Sequence, residues 1–184
     1  MKPIATKSLT LLAALGLGLA SGPALAALAP DLTVDLVVPA AAAPGEDIGA
    51  RIRLIVKNVG TAPANGTQAH PAGYMVDLTL GRDPVVPPGF RTFSATFAED
   101  VLLKGGRVSR TVDLAPRAFH EYAAGAGIPA DTPPGNYFLC ATVDPGNAVA
   151  EPAQGEANNT TCRPIRIAKP LNVGPQDDFP NKFK

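Results

Sequence analysis

The sequence contains few of the residues that carry out catalysis or bind metal ions. Its 184 residues include two cysteines and two histidines. His70 lies in "QAHPAG" and His120 in "RAFHEY", so they form no two-histidine metal motif, and GxSxG and HExxH are absent as well. Glu121 follows His120, but adjacency in the sequence does not establish the geometry of acid–base catalysis. We therefore expect a protein that is not an enzyme and has no cofactor.

Dense positive charge is also absent. Lys and Arg together number 16, as do Asp and Glu, and the two signs are interspersed along the chain. Nucleic acids and anionic membrane surfaces attract proteins mainly through concentrated basic charge. The sequence therefore argues against both as partners.

Long apolar runs are scarce, and the one at Leu9–Ala20 is shorter than the roughly 20 residues that span a bilayer. Lys2 and Lys7 precede it, and Ala24-Leu25-Ala26 follows it, in the order of a secretory signal peptide. We expect residues 1–26 to be cleaved, leaving a mature chain with a net charge of −2 and no transmembrane span. Such a protein is exported, either to the periplasm or out of the cell.

Proline and glycine are plentiful, with 20 and 18 residues, and their clusters separate short β-branched segments. This pattern favours an all-β sandwich or barrel. Alternating apolar and polar residues predict strands at 31–38, 48–58 and 74–81, a weaker one within 107–115, and one or two within 90–103. Residues 116–124 fit a short helix or a loop equally well, and we expect a flexible tail at 169–184.

The two cysteines, Cys140 and Cys162, lie in two further predicted strands, at 136–144 and 160–168. Leu139 and Val143 mark the buried face of the first of these strands, and Ile165 marks that of the second, so both cysteines have the opposite parity. If the strands are antiparallel neighbours, Cys140 faces Cys162 on the outer surface, close enough for a disulfide bond. An oxidising compartment preserves such a bond, whereas the CxxC spacing of a reactive pair is missing.

The segment between the cysteines is rich in oxygen-bearing side chains. Asp144, Glu151, Glu156 and Asn158 are candidate ligands for Ca²⁺, which takes six to eight oxygens, although their spacing matches no EF-hand. In the alternative interpretation, Asp144-Pro145-Gly146-Asn147 forms a turn and these polar side chains hold the loop.

Several motifs occur together in one order across residues 30–168. They are Pro30-Asp31-Leu32, Lys57-Asn58-Val59-Gly60, Gly135-Asn136-Tyr137, Val143-Asp144 with Asn147, Val149 and Glu151, and Glu156-Ala157-Asn158-Asn159. In this combination the chain resembles the bacterial CARDB family, a cell-adhesion-related module. The resemblance implies an immunoglobulin-like antiparallel β-sandwich of about seven strands, while residues 61–73 and 116–130 look like insertions.

These observations together predict an exported, non-catalytic β-sandwich module for protein–protein interaction or adhesion. Its partner would be another envelope or extracellular protein, or a glycan. The alternative is a calcium-dependent binding domain that uses the 144–159 loop, and a hydrolytic enzyme is less favoured. The long loops at 61–73, 82–90 and 116–134 are candidate binding surfaces, but no single residue is assigned to binding.

Overall fold

A computed structural model describes residues 28–66, 74–110 and 112–169. The predicted signal peptide, and all of the predicted tail except Lys169, lie outside these residues. Eight strands and two short helical segments are present in the described part of the chain. They are β1 (Leu32–Val37), β2 (Ala41–Ala42), a 3-10 turn (Gly49–Arg51), β3 (Arg53–Asn58), β4 (Tyr74–Gly81), β5 (Val101–Arg110), β6 (Phe119–Tyr122), β7 (Gly135–Val143), α1 (Ala153–Glu156) and β8 (Thr160–Ile167).

The strands form two sheets. One has three antiparallel strands in the order β1-β3-β6, and the other has five in the order β2-β8-β7-β4-β5. The short β2 pairs in parallel with β8, and all other pairs are antiparallel. The predicted immunoglobulin-like β-sandwich is therefore confirmed, and the described residues contain eight strands instead of about seven, with one parallel pair.

The core lies between the two sheets and is built from one face of each strand. Leu32, Val34 and Leu36 of β1 are buried together with Val76 and Leu78 of β4. Because alternate side chains of a strand point to opposite faces, the apolar rows seen in the sequence become the inner faces of the sandwich. Burial of these rows is the main driving force for folding.

The structure corrects several of the secondary-structure predictions. The strand expected at 48–58 begins only at Arg53, because the 3-10 turn precedes it. The segments expected within 90–103 and 107–115 contribute to one strand, β5, whose pairing with β4 is interrupted by a bulge around Gly105, which has a positive φ of 73°. The possible helix at 116–124 is wrong, since β6 pairs there with β3.

The register of β7 and β8 agrees with the prediction. Cys140 is opposite Cys162 and the two form a disulfide bond. The expected exposure is wrong for Cys140, which is only 1% exposed. The segment after β4 returns over the outer face of the five-stranded sheet, and the carbonyl oxygen of Pro84 lies 3.5 Å from Sγ of Cys162. This sheet is therefore covered on both faces near the disulfide.

Candidate binding groove

The 144–147 segment forms the turn that was one of the two sequence interpretations. The N–H of Asn147 donates to the carbonyl oxygen of Asp144 at 2.9 Å. The Asp144 carboxylate accepts from the N–H of Ala148 through Oδ1 at 3.0 Å and from that of Val149 through Oδ2 at 2.7 Å. Both carboxylate oxygens thus hold the backbone that follows the turn, four and five residues along the chain.

Glu151 connects this loop to the start of β1. Its Oε2 accepts from the N–H of Leu32 at 2.9 Å, while Oε1 is buried without a hydrogen-bond partner in the described structure. Burial raises the pKa of Glu151 to about 7, and the carboxylates of Glu156, Asp31 and Asp144 add to the increase, against the lowering effect of the Leu32 N–H. The Glu151 carboxyl group therefore changes between its neutral and charged forms near pH 7.

Glu156 and the asparagines complete the polar network of the loop. Glu156 accepts from the N–H of Glu151 at 3.2 Å and from Nδ2 of Asn159 at 3.4 Å. Nδ2 of Asn158 donates to Oδ1 of Asp31 at 3.0 Å, which ties the loop to the N-terminal end of β1. Burial, with repulsion from Asp144, raises the pKa of Glu156.

This network engages each of the predicted calcium ligands within the protein. Asp144, Glu151 and Glu156 accept from backbone N–H groups, and Asn158 donates to an aspartate. Among the described residues, no three histidine, cysteine, aspartate or glutamate side chains are grouped as a metal site would require. Calcium binding by this loop stays a prediction.

Asn58, in the motif that ends β3, also has a structural role. Its Oδ1 accepts from the N–H groups of Asp31 and Gly60, and its Nδ2 donates to the carbonyl oxygens of Ala62 and Leu114. The side chain is completely buried, so these four bonds satisfy a polar group that would otherwise be costly to bury. The motifs near the two ends of the domain thus meet at the start of β1.

An open groove lies on the outer side of β7 and β8, next to the polar loop. Its volume is about 900 Å³. One wall is the proline-rich segment 84–89, the other is the 144–147 turn with the end of α1, and Thr142 and Thr160 lie on the sheet between them. Ligand sites commonly have volumes of several hundred Å³, so the groove is large enough for part of a ligand or a peptide segment.

Contacts with the sheet and the turn hold the proline-rich wall in place. Arg107 of β5 donates twice to Asp77 of β4, with both distances 2.6 Å, and the side chain of Asp77 is 1% exposed. The guanidinium of Arg107 lies 4.9 Å from the ring centre of Phe90. That ring packs on Gly146, where an added Cβ would be 2.5 Å from Phe90 Cζ. Phe90, which directly follows the proline-rich wall, therefore contacts the 144–147 turn.

The remaining candidates from the sequence are distributed over different parts of the molecule. His120 faces the core side, with Nδ1 3.3 Å from the hydroxyl of Tyr74, while Glu121 faces outward and accepts from Arg53 at 2.9 Å. The alternation along β6 thus separates the two neighbours. His70 lies outside the described residues.

Sequence reasoning identified 82–90 as a candidate binding loop but missed its place in the fold. No local pattern shows that Val85 and Pro88 would stand across a groove from Gly146. The one sequence signal for this arrangement is a pair of opposite charges, Asp77 and Arg107, which the neighbouring strands β4 and β5 place directly opposite each other.

Comparison with known proteins finds similarity only among solved structures. No family model and no curated protein matches the chain. The crystal structure of the CARDB domain of the PF1109 protein from Pyrococcus furiosus, in complex with di-metal ions, is 20% identical, with a TM-score of 0.49 over 76% of this chain and 90% of that one. The solution structure of the same domain is 21% identical, with a TM-score of 0.49 over 77% and 98%.

A third similar structure is the sporulation control protein Spo0M from Bacillus subtilis, at 14% identity and a TM-score of 0.43, over 76% of this chain and 50% of that one. Two of the three are thus CARDB domains, the family that the sequence motifs resemble. At these identities and TM-scores, no conclusion about ligand or function follows. No helix in the described ranges is long and apolar enough to cross a membrane.

Proposed function

We propose that this chain is an exported, non-catalytic β-sandwich module that binds another protein of the cell envelope or the extracellular space through the groove between the proline-rich segment 84–89 and the 144–147 turn. The proposal rests on one observation, that side-chain contacts fix the position of both walls of the groove, and we call this groove braced. Asp144 holds the turn through two backbone N–H groups, and Asp77 holds Arg107 beneath Phe90. A groove that is already ordered loses little conformational entropy when a partner binds.

Exposed apolar side chains on the proline-rich wall support the same proposal. Val85 is 66% exposed, and the Phe90 ring at the end of this wall is about half exposed. Aromatic and other apolar groups at the edge of a preformed cleft are typical of protein-binding surfaces. Proline also reduces the freedom that the segment would lose on binding.

Export and the absence of catalysis belong to this proposal as well. The Cys140–Cys162 disulfide supports export, since such bonds persist mainly in oxidising compartments. The separation of His120 from Glu121 on opposite faces of β6 supports a non-catalytic module. Fractionation of the producing cell tests export: the protein should be in the periplasm or the medium, and recovery with its cysteines reduced in the cytoplasm would contradict the proposal.

Site-specific photo-cross-linking in the producing cell tests the groove. A photoreactive amino acid, p-benzoylphenylalanine, replaces Val85 on the groove wall or, as the matched control, Val37, which is 58% exposed on β1 of the other sheet. The proposal predicts a discrete protein adduct from position 85 that position 37 does not give. No adduct from either position, or the same adducts from both, would contradict it.

A further inference from the structure

Three asparagines of the chain begin the tripeptide Asn-x-Thr, in which x is not proline. In exported proteins this tripeptide, called a sequon, is the acceptor for N-linked glycans, which attach to the asparagine side chain. A glycan is bulky and hydrophilic, so the folded protein can carry one only at its surface. The three sequons are Asn65-Gly66-Thr67, Asn158-Asn159-Thr160 and Asn159-Thr160-Thr161.

The environment of Asn159 excludes it as the acceptor. The residue is 5% exposed, and its Nδ2, the atom that a glycan would modify, donates to Glu156 at 3.4 Å. Its backbone carbonyl oxygen accepts from the N–H of Val143 at 2.9 Å, which holds the residue against β7. Attachment of a sugar to this nitrogen would require the segment to detach from the domain.

Asn158 lies at the surface, in the connection between α1 and β8. Both Asn158 and Thr160, whose hydroxyl completes its sequon, are exposed. Nδ2 of Asn158 donates to Oδ1 of Asp31 at 3.0 Å, at an exposed position. Because a side-chain amide has two hydrogens, a sugar can replace one of them while the other keeps the bond to Asp31. A glycan on Asn158 is therefore compatible with the polar network of the loop.

Asn65 is also exposed, but its surroundings suit a transferase less well. The next residue, Gly66, is buried, and an added Cβ there would lie 2.3 Å from the carbonyl oxygen of Val112. Thr67, which completes this sequon, lies outside the described residues. Among the sequons, the one at Asn158 is therefore the best acceptor.

Resting on the proposed export of the chain, we propose that Asn158 is an N-glycosylation site. The donor is an oligosaccharide joined to a lipid diphosphate, and a glycosyltransferase of the producing cell catalyses the transfer. Nδ2 of Asn158 attacks the anomeric carbon of the first sugar and forms a C–N bond. The bond from this carbon to the diphosphate oxygen breaks, the diphosphate leaves with the electron pair, and the amide loses one proton. Nothing is oxidised or reduced.

The position of Asn158 relates this modification to the proposed binding groove. Ala157, the residue before it, and Thr160, two residues after it, both line the groove. A glycan on Asn158 would therefore stand beside the groove and limit the surfaces that can approach it. The Cys140–Cys162 disulfide supports delivery of the chain to an oxidising compartment outside the cytoplasm, where this transfer occurs.

Mass spectrometry of the protein isolated from its producing cell tests this inference. Digestion after glutamate and arginine releases residues 157–166, a peptide that contains Asn158 and Asn159 and no other asparagine. The peptide should carry the added mass of several sugar units, and fragmentation should place them on Asn158. A peptide of unmodified mass, or a glycan found only on Asn159 or Asn65, would overturn the inference.

Variants at Thr160 identify the sequon that is used. Thr160→Ala removes the hydroxyl that the Asn158 sequon requires, whereas Asn159 keeps its own sequon through Thr161. Thr160→Ser is the matched control, since it retains the hydroxyl and its contact with Thr142. The glycan should be lost in Thr160→Ala and kept in Thr160→Ser. An unchanged amount of glycan in Thr160→Ala would contradict the assignment to Asn158.

The location of the protein separates this inference from the proposed function. Exported, disulfide-bonded protein without a glycan would overturn the inference and leave the proposed export intact. Protein found unmodified in the cytoplasm would contradict both. A glycan on Asn158, together with the same cross-linked adducts from positions 85 and 37, would support the modification and contradict the groove.

Discussion

Replacing Glu151 with glutamine should stabilise the protein near pH 8 and have little effect near pH 4. The carboxyl group has a pKa of about 7 in the folded protein, against an ordinary value of 4.5. Between these values the folded state binds a proton that the unfolded state has released, so this group stabilises the fold at low pH and the benefit is lost as the pH rises through 7. Glutamine is never charged, and its side-chain oxygen can still accept from Leu32.

The size of the effect follows from the difference between the two pKa values. It corresponds to roughly 3 kcal/mol, and solvent screening of this half-buried group reduces it to about 1–2 kcal/mol. For a domain of this size, such a gain raises Tm by roughly 3–6 °C. Because the chain has no tryptophan, circular dichroism is the suitable signal for urea and thermal unfolding.

The control for this experiment is Glu121→Gln, which removes an exposed carboxylate paired with Arg53. It should give no gain in stability near pH 8, because its carboxylate is well solvated. If Glu151→Gln is less stable than the wild type near pH 8, or if its advantage is the same at both pH values, the reasoning about the buried carboxyl group is wrong.

Other parts of the structure give three further predictions. Replacing Cys140 and Cys162 with alanine should lower the free energy of unfolding by about 3 kcal/mol, as expected for a 22-residue separation; a loss below about 1 kcal/mol in urea unfolding would contradict this. Asp77→Asn should lower the free energy of unfolding by about 3 kcal/mol, because it breaks the largely buried pair with Arg107. Asp35→Asn breaks the exposed pair with Lys57 and should lower the free energy of unfolding by less than about 1 kcal/mol. Equal losses for the two variants would refute the distinction between buried and exposed pairs. Millimolar calcium should leave Tm unchanged relative to EDTA, and a clear rise would instead support the calcium hypothesis.

The elements that alternation predicts well are those with one buried and one less buried face. β1 and β4 follow the expected rows, and parity placed Cys140 and Cys162 on the same face of their strands, where the structure pairs them. Alternation predicts the faces of these strands because the side chains of a strand repeat every two residues. A shift of one residue would therefore turn the whole apolar row away from the core.

The parts that the sequence predicted poorly depend on contacts between distant segments. β6 becomes a strand because it pairs with β3, although Pro116 and Gly125 around it also fit a short helix. The glycines at 105 and 106 interrupt the alternation of β5. Cys140 is buried because the segment that follows β4 lies across the outer face of the sheet, which no local period can show.

The groove has one wall that local sequence patterns predict and another that depends on contacts between distant segments. The Asp144-Pro145-Gly146-Asn147 turn is readable from turn chemistry, since proline and glycine favour such conformations. The position of Phe90 on Gly146 depends on how the proline-rich segment packs, and thus on the buried Asp77–Arg107 pair in the neighbouring strands. Half of the candidate site was therefore predictable from local sequence, and half follows only from the tertiary fold.

The central claim, that the braced groove is the binding surface, is tested most directly with the partner captured at Val85. Its affinity, measured by calorimetry, is compared for the wild type and Gly146→Ala, whose new methyl group would displace the Phe90 ring at the end of the groove. That ring is partly exposed and can move, so the fold should persist. The account predicts affinity at least about tenfold weaker for Gly146→Ala, with a Tm close to that of the wild type; equal affinities for the two proteins would contradict it.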